Sequence, residues 1–175
     1  MKRNDMEEVA TGLTQPKLRI GGRPRPGQGE NYIILEEPGE PVQMHYLADR
    51  KARNRKVPHF KRDCPNCDGD DEPRPYWYLG AIDCKWRFPV VLELTHECFK
   101  SATQAAGRFP VLGQPLFRGL CVTIKREDFD ASPRRLYCEL RTGVALMAWP
   151  YETRRELARI WGITVRPKLY REGGA

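Results

Sequence analysis

No window of the chain approaches eighteen consecutive apolar residues, and the opening Met1-Lys2-Arg3-Asn4-Asp5 leads into no hydrophobic stretch. The expectation is therefore neither a bilayer-spanning helix nor a cleavable secretory leader. The expectation is a protein with no membrane partner that stays in the cytoplasm, at a nucleoid or in a phage-infected cell. GxGxxG, GxxxxGK[ST], GxSxG and HExxH are also missing, and with them the common phosphate-cradling and hydrolytic signatures. The HxE half of the zinc-deaminase pattern does not occur, so Asp63-Cys64-Pro65-Asn66-Cys67 matches only the other half. The chain is therefore expected not to be an enzyme. Histidine is scarce, at three residues, and there is no second CxxC. Six cysteines, two of them in a metal-type spacing, suit a reducing compartment better than a disulfide scaffold.

What is present centres on His45 to Cys67. Two thiolates two residues apart, Cys64 and Cys67, close readily on one metal, and nearby imidazoles complete a tetrahedral shell. A redox CxxC normally opens a helix, whereas Pro65 and the following Asp68-Gly69-Asp70-Asp71 make a turn that no helix follows directly. The spacing predicts one structural zinc ion held by His59, Cys64 and Cys67, with His45 or Cys84 as the fourth ligand. His96 and Cys98 fall in the first turn of a helix, where positions two apart point away from each other, so they are read as a helix-start histidine and a buried thiol.

At 175 residues the chain is about one domain. With 30 Lys plus Arg against 23 Asp plus Glu, its formal charge is +7, and a pI near 9.2 points to polyanionic partners. Residues 1–30, with Gly21-Gly22-Arg23-Pro24-Arg25-Pro26-Gly27, read as a flexible basic arm. Residues 31–145 form the main domain, with a zinc-binding insert at 48–75 too poor in apolar residues to build a core without metal. Residues 146–175 carry a last helix and a tail.

Strands are predicted at Asn31–Leu35, Val42–Leu47, Tyr76–Cys84, Arg87–Leu94, Phe117–Arg126 and Leu136–Arg141. A helix is predicted from His96 to Ala106, capped by Thr95 and stopped by Gly107, and an amphipathic one from Tyr151 to Trp161. Six short strands with connections mostly too short for βαβ crossovers predict a mainly β (α+β) fold. The preferred architecture is an OB-like small barrel with the zinc-binding insert and one or two peripheral helices; an Ig-like sandwich is the competitor, against which the helix at His96 counts.

Aromatic residues crowd the predicted barrel face at Tyr76, Trp77, Tyr78, Trp86, Phe88, Phe117 and Tyr137. Exposed rings beside cations give a stacking platform for unpaired bases, worth about 1–3 kcal/mol per base. The basic residues placed to track phosphates include Arg53, Arg55, Lys56, Lys61, Arg87, Arg118, Lys125 and Arg126.

The order strand, His, CPxC, the aromatic strand Tyr76-Trp77-Tyr78, an apolar strand ending Leu92-Glu93-Leu94, a short helix, then Arg118-Gly119 leading into two β runs, resembles the single-stranded-DNA-binding (helix-destabilising) proteins of tailed phages. The resemblance covers about residues 31–141. It implies an OB barrel with a zinc subdomain, supports His45, Cys64 and Cys67 as ligands with His59 standing where that family has a further cysteine, and favours Tyr76, Trp77 and Tyr78 for base stacking. That family ends in an acidic tail, whereas this chain ends Arg166-Pro167-Lys168-Leu169-Tyr170-Arg171-Glu172-Gly173-Gly174-Ala175. The functional expectation is non-catalytic binding of single-stranded DNA or RNA in replication, recombination or repair, alongside replication or recombination proteins. The alternative is a zinc-stabilised adaptor or structural protein that binds other proteins.

Overall fold

The computed structural model describes residues 18–46, 56–59, 64, 67, 72–127, 133–142 and 149–161. Eight strands and two helices follow in the order β1 (Ile20–Gly21), β2 (Gly29–Ile34), β3 (Val42–Tyr46), β4 (Lys56–Pro58), β5 (Arg74–Asp83), β6 (Phe88–Leu94), α1 (His96–Arg108), β7 (Leu120–Arg126), β8 (Arg134–Arg141) and α2 (Thr153–Trp161).

β5 is the trunk of the sheet. One of its edges pairs along its length with β6, from Trp77↔Leu94 to Asp83↔Phe88. Its other edge is shared: Ala81–Asp83 pair with β2, whereas Arg74–Tyr76 pair with β3, which in turn carries β4. From β2 the sheet continues through β7 to β8, all antiparallel, while β1 lies parallel to the outer edge of β6. The result is a mainly β protein with an open, mixed sheet.

The sheet does not close into the expected barrel. β1 lies at one end of the strand order and β8 at the other, and no backbone ladder joins the two among the described residues. A side chain crosses the seam instead: Arg134 of β8 donates from Nη1 to the Gly22 carbonyl. Gly22 has φ +78°, and a Cβ there would lie 2.6 Å from the Glu93 carbonyl oxygen, so only glycine fits where the two ends approach.

Both faces of the trunk are covered. On one side Leu79 and Ala81 join Val90, Leu92 and Leu94, Tyr32 and Ile34, and Leu120, Val122 and Ile124 in the main core. α1 closes this core with Cys98, Ala102, Ala105 and Ala106, small residues that let the helix sit close. On the other side Tyr78 and Val91 pack with Leu18 and with Leu157 of α2, flanked by Trp149, Tyr151 and Trp161. Trp149 lies over Gly80 so closely that a Cβ would meet its ring at 2.1 Å.

α1 starts where its signals place it: Thr95 Oγ1 accepts from the Cys98 amide, and Glu97 stands in the positive first turn. It runs past Gly107 to Arg108 and ends at Phe109, because Pro110 is what cannot continue it. α2 begins two residues later than its periodicity suggests. Residues 18–30 belong to the fold, with Leu18 buried and Ile20–Gly21 paired to Val91 and Leu92. The rest of the predicted arm, and the tail beyond Trp161, lie outside the described residues.

Candidate metal centre and nucleic-acid interface

The β3–β4 hairpin builds half of the metal site. Its register sets His45 opposite Val57, and the chain leaving β4 is held by a 2.7 Å hydrogen bond from the His59 amide to the Gln43 carbonyl. The two imidazoles thereby face each other, 5.1 Å between ring centroids. The other half is a turn: the Cys67 amide donates to the Cys64 carbonyl at 3.1 Å, bringing both thiols to one point.

His45 Nε2 and His59 Nδ1 are 3.0 Å apart, and Cys67 Sγ lies 3.4 and 3.3 Å from them. All four donors, including Cys64 Sγ, lie within 4.8 Å of one another. Tetrahedral bonds of about 2.0–2.3 Å place ligand atoms roughly 3.3–3.8 Å apart, so one ion fits between these donors with little movement. His45 and Cys64 are buried, His59 is partly so, and Cys67 stands at the surface. The group can bind one metal ion. Its members are the four predicted ligands, and Cys84, the other candidate for the fourth place, is outside it at the exposed β5–β6 turn.

The predicted stacking strand is not an open platform. Trp77, half-buried, stacks on Phe99 at 4.1 Å between centroids, against the main core. Tyr78 is buried on the opposite face, its hydroxyl donating to Glu93 at 2.9 Å, and Tyr76 packs beside it. Phe117 is buried as well. These rings are taken because both faces of β5 are covered. Lys56 is drawn inward, with its ammonium 2.7 Å from Glu93 Oε1 and 4.0 Å from the Tyr76 ring centroid. Burial, the largest influence, lowers its pKa to about 8 against the upward pull of Glu93. Arg53, Arg55 and Lys61 lie outside the described residues.

The open rings are elsewhere. Trp86 is 54% exposed, Phe88 59% and Tyr137 46%. Lys85 Nζ lies 4.8 Å from the Trp86 centroid, and Lys125 Nζ 5.6 Å from that of Tyr137. On β7 and β8, Leu136, Val122 and Ile124 turn into the core, so Tyr137, Thr123 and Lys125 face outward. The row continues: Tyr137 pairs with Thr123, Thr123 with Asn31, and the Asn31 carbonyl accepts from the Cys84 amide at 2.9 Å. Tyr137 and the Lys85–Trp86–Arg87 turn thus flank one sheet face, about 14 Å apart at three strand spacings. The turn is firmly built, since Asp83 Oδ1 accepts from the amides of Lys85 and Trp86, and Arg87 takes φ +56°. Arg87 is exposed, and Arg118 and Arg126 are half-buried.

Sequence reasoning passed over Glu93. It has no solvent exposure, and burial pushes its carboxyl pKa up, but Arg134, Arg23 and Lys56 outweigh that and hold it at about 2. The signal was available: an acid inside the apolar strand Phe88-Pro89-Val90-Val91-Leu92-Glu93-Leu94 must be buried and paired.

Comparison with known proteins finds no matching family model, no matching curated protein and no matching solved structure.

Proposed function

We propose that the protein binds single-stranded nucleic acid, without catalysis, on the outward face of β2, β7 and β8 and along the turn that borders it. The carrying observation is that the exposed rings Tyr137 and Trp86, each with a lysine beside it, flank one sheet face on a chain of charge +7. Bases stack on such rings while cations track the backbone. Lys125, Arg87 and Arg118 are the phosphate contacts, and Asn31 and Thr123 between the rings offer polar atoms to base edges; Arg126 shares the core-facing side of β7 with Ile124 and is not among them. The ion at His45, His59, Cys64 and Cys67 is zinc, since two nitrogens and two thiolates in a closed shell suit structural Zn2+. The open sheet then serves as an OB-like platform, in the manner of the phage helix-destabilising proteins, with single-stranded DNA or RNA as ligand in replication, recombination or repair.

Titration with oligo-dT at low ionic strength tests this. Tryptophan emission is expected to quench, and affinity to fall steeply with salt. Tyr137→Ala and Trp86→Ala are each expected to weaken binding about 5- to 150-fold, equivalent to about 1–3 kcal/mol per stacked base. Absence of any salt-sensitive binding overturns the reading. One observation favours the adaptor alternative: Leu112 is 98% exposed at a tight turn with φ +47°, an apolar knob that suits a protein partner. That reading predicts no fluorescence response to the oligonucleotide.

A further inference from the structure

Beside the metal hairpin, side chains from four other parts of the fold converge on one carboxylate of β6. Glu93 Oε2 accepts from Arg23 Nη2 at 2.5 Å and from the Tyr78 hydroxyl at 2.9 Å. Glu93 Oε1 accepts from Lys56 Nζ at 2.7 Å and Arg134 Nη2 at 2.8 Å. Arg23 follows β1, Lys56 opens β4, Arg134 opens β8, and Tyr78 and Glu93 face each other across β5 and β6.

The charges do not balance. Three cations surround one anion, and among the described residues no second carboxylate lies within ion-pair distance of any of the three. A latch across the sheet seam needs one cation, and burying surplus like charge is unfavourable. The surplus is graded outward: Glu93 has a fully buried side chain, those of Arg134 and Lys56 are 12% and 17% exposed, and that of Arg23 is 43% exposed. Arg23 bonds Glu93 through Nη2, and it is the most exposed of the three cations.

We propose that Arg23, Lys56 and Arg134 form a phosphate-binding site, with Glu93 as the buried carboxylate that orients the three cations. A phosphomonoester carries about −1.5 to −2 charges near neutrality, which matches the surplus of two positive charges, and arginine forks suit its oxygens. The ligand is a terminal phosphate, from a free small molecule or from the end of a polynucleotide strand. This site is separate from the ring-bearing face and does not depend on it.

Calorimetric titration of the full chain with inorganic phosphate at constant ionic strength is the test. Saturable one-to-one binding is expected, weakened at least tenfold in Arg23→Gln and unchanged in Tyr137→Ala. Arg23 is the open member of the cluster, so its variant should keep the wild-type thermal midpoint within a few degrees. As a second readout, phosphate should slow acylation of Lys56 by an amine-reactive reagent. Comparing 5′-phosphorylated with 5′-hydroxyl oligo-dT separates the sources: a preference of tenfold or more that vanishes in Arg23→Gln assigns the site to strand ends, and no preference assigns it to a free phosphate compound. Lack of saturable phosphate binding, or binding indifferent to Arg23→Gln, overturns the proposal. A chain that binds phosphate but no oligonucleotide keeps this site and loses the stacking face; the opposite result keeps the stacking face and loses this site.

Discussion

The β3–β4 hairpin and the α1-covered sheet are stable for opposite reasons. Beneath α1 and on its inner side, sixteen buried residues form one cluster, and each large apolar side chain removed from water there contributes about 1.5–3 kcal/mol. The hairpin has little of this. β4 is three residues long with no buried position, and only Met44, His45 and Cys64 are buried in the described part of the hairpin and its metal turn. What draws β3, β4 and the Cys64–Cys67 turn together is a set of donor atoms aimed at one point. If the proposed ion sits there, apolar area and metal coordination are two independent supports, and they should fail separately.

The largest expected effect comes from removing the ion. Structural zinc sites contribute on the order of 10–16 kcal/mol of apparent binding energy near neutrality, far beyond what the short strands β3 and β4 retain by pairing. Chelation, or Cys64→Ser, is expected to release the amides of Val57 and His59 to rapid hydrogen exchange while those of Leu92, Val122 and Ile124 stay protected. Elemental analysis should find one equivalent of metal in the wild type and none in the variant. Uniform loss of protection across both regions would show that the hairpin and the sheet are one cooperative unit.

Glu93 is where the two supports meet, since Lys56 of the hairpin reaches β6 through it. Glu93→Gln removes the carboxylate and leaves three cations facing one another, so a loss of about 3–5 kcal/mol is expected from chemical denaturation. The pH dependence has a definite sign. The folded carboxyl sits at about 2 against an ordinary value of 4.5, so its stabilisation is complete above about pH 4.5 and is lost as pH falls toward 2. Glu93→Gln isolates the carboxyl contribution: the variant should lose the slope between pH 4.5 and 2. An unchanged slope would mean that Glu93 is not charged in the folded protein.

This division explains what could be read from the residues alone. The metal donors lie within one stretch, His45 to Cys67, and CxxC spacing is a local property, so the ligand set was legible. So was α1, whose cap, acidic first turn and small-residue stripe are consecutive. The Glu93 cluster joins residues 37, 41 and 70 positions away from it, and no local pattern encodes that. β1 was hidden because two residues in a Gly- and Pro-rich segment carry no periodicity, and its parallel partner is 71 positions away at Val91 and Leu92. The open sheet was missed for the same reason, because β1 at one end of it carries no sequence signal. The rings of Tyr76, Trp77 and Tyr78 were assigned to a surface although they begin the run Tyr76-Trp77-Tyr78-Leu79-Gly80-Ala81-Ile82. A continuous apolar run without alternation marks a strand covered on both faces.

The smallest expected effect concerns that second cover. Trp149 fills the space over Gly80, its Nε1 donates to Thr153 Oγ1 at 3.0 Å, and Thr153 passes the contact on to Glu36, which also accepts from the Gly80 amide at 2.7 Å. Gly80→Ala places a methyl group where the indole lies, so the ring must leave and α2 loses its tie to β2 and β5. The sheet loses no hydrogen bond and the main core loses no atom, so the cost is that of overpacking, about 1–3 kcal/mol. Because Trp149 moves into water, its emission is expected to shift to the red while the far-ultraviolet signature of the sheet persists. A loss above about 5 kcal/mol, with release of β7 and β8 as well, would show that the α2 cover supports the main core, leaving the metal hairpin as the one region that stands on its own interactions.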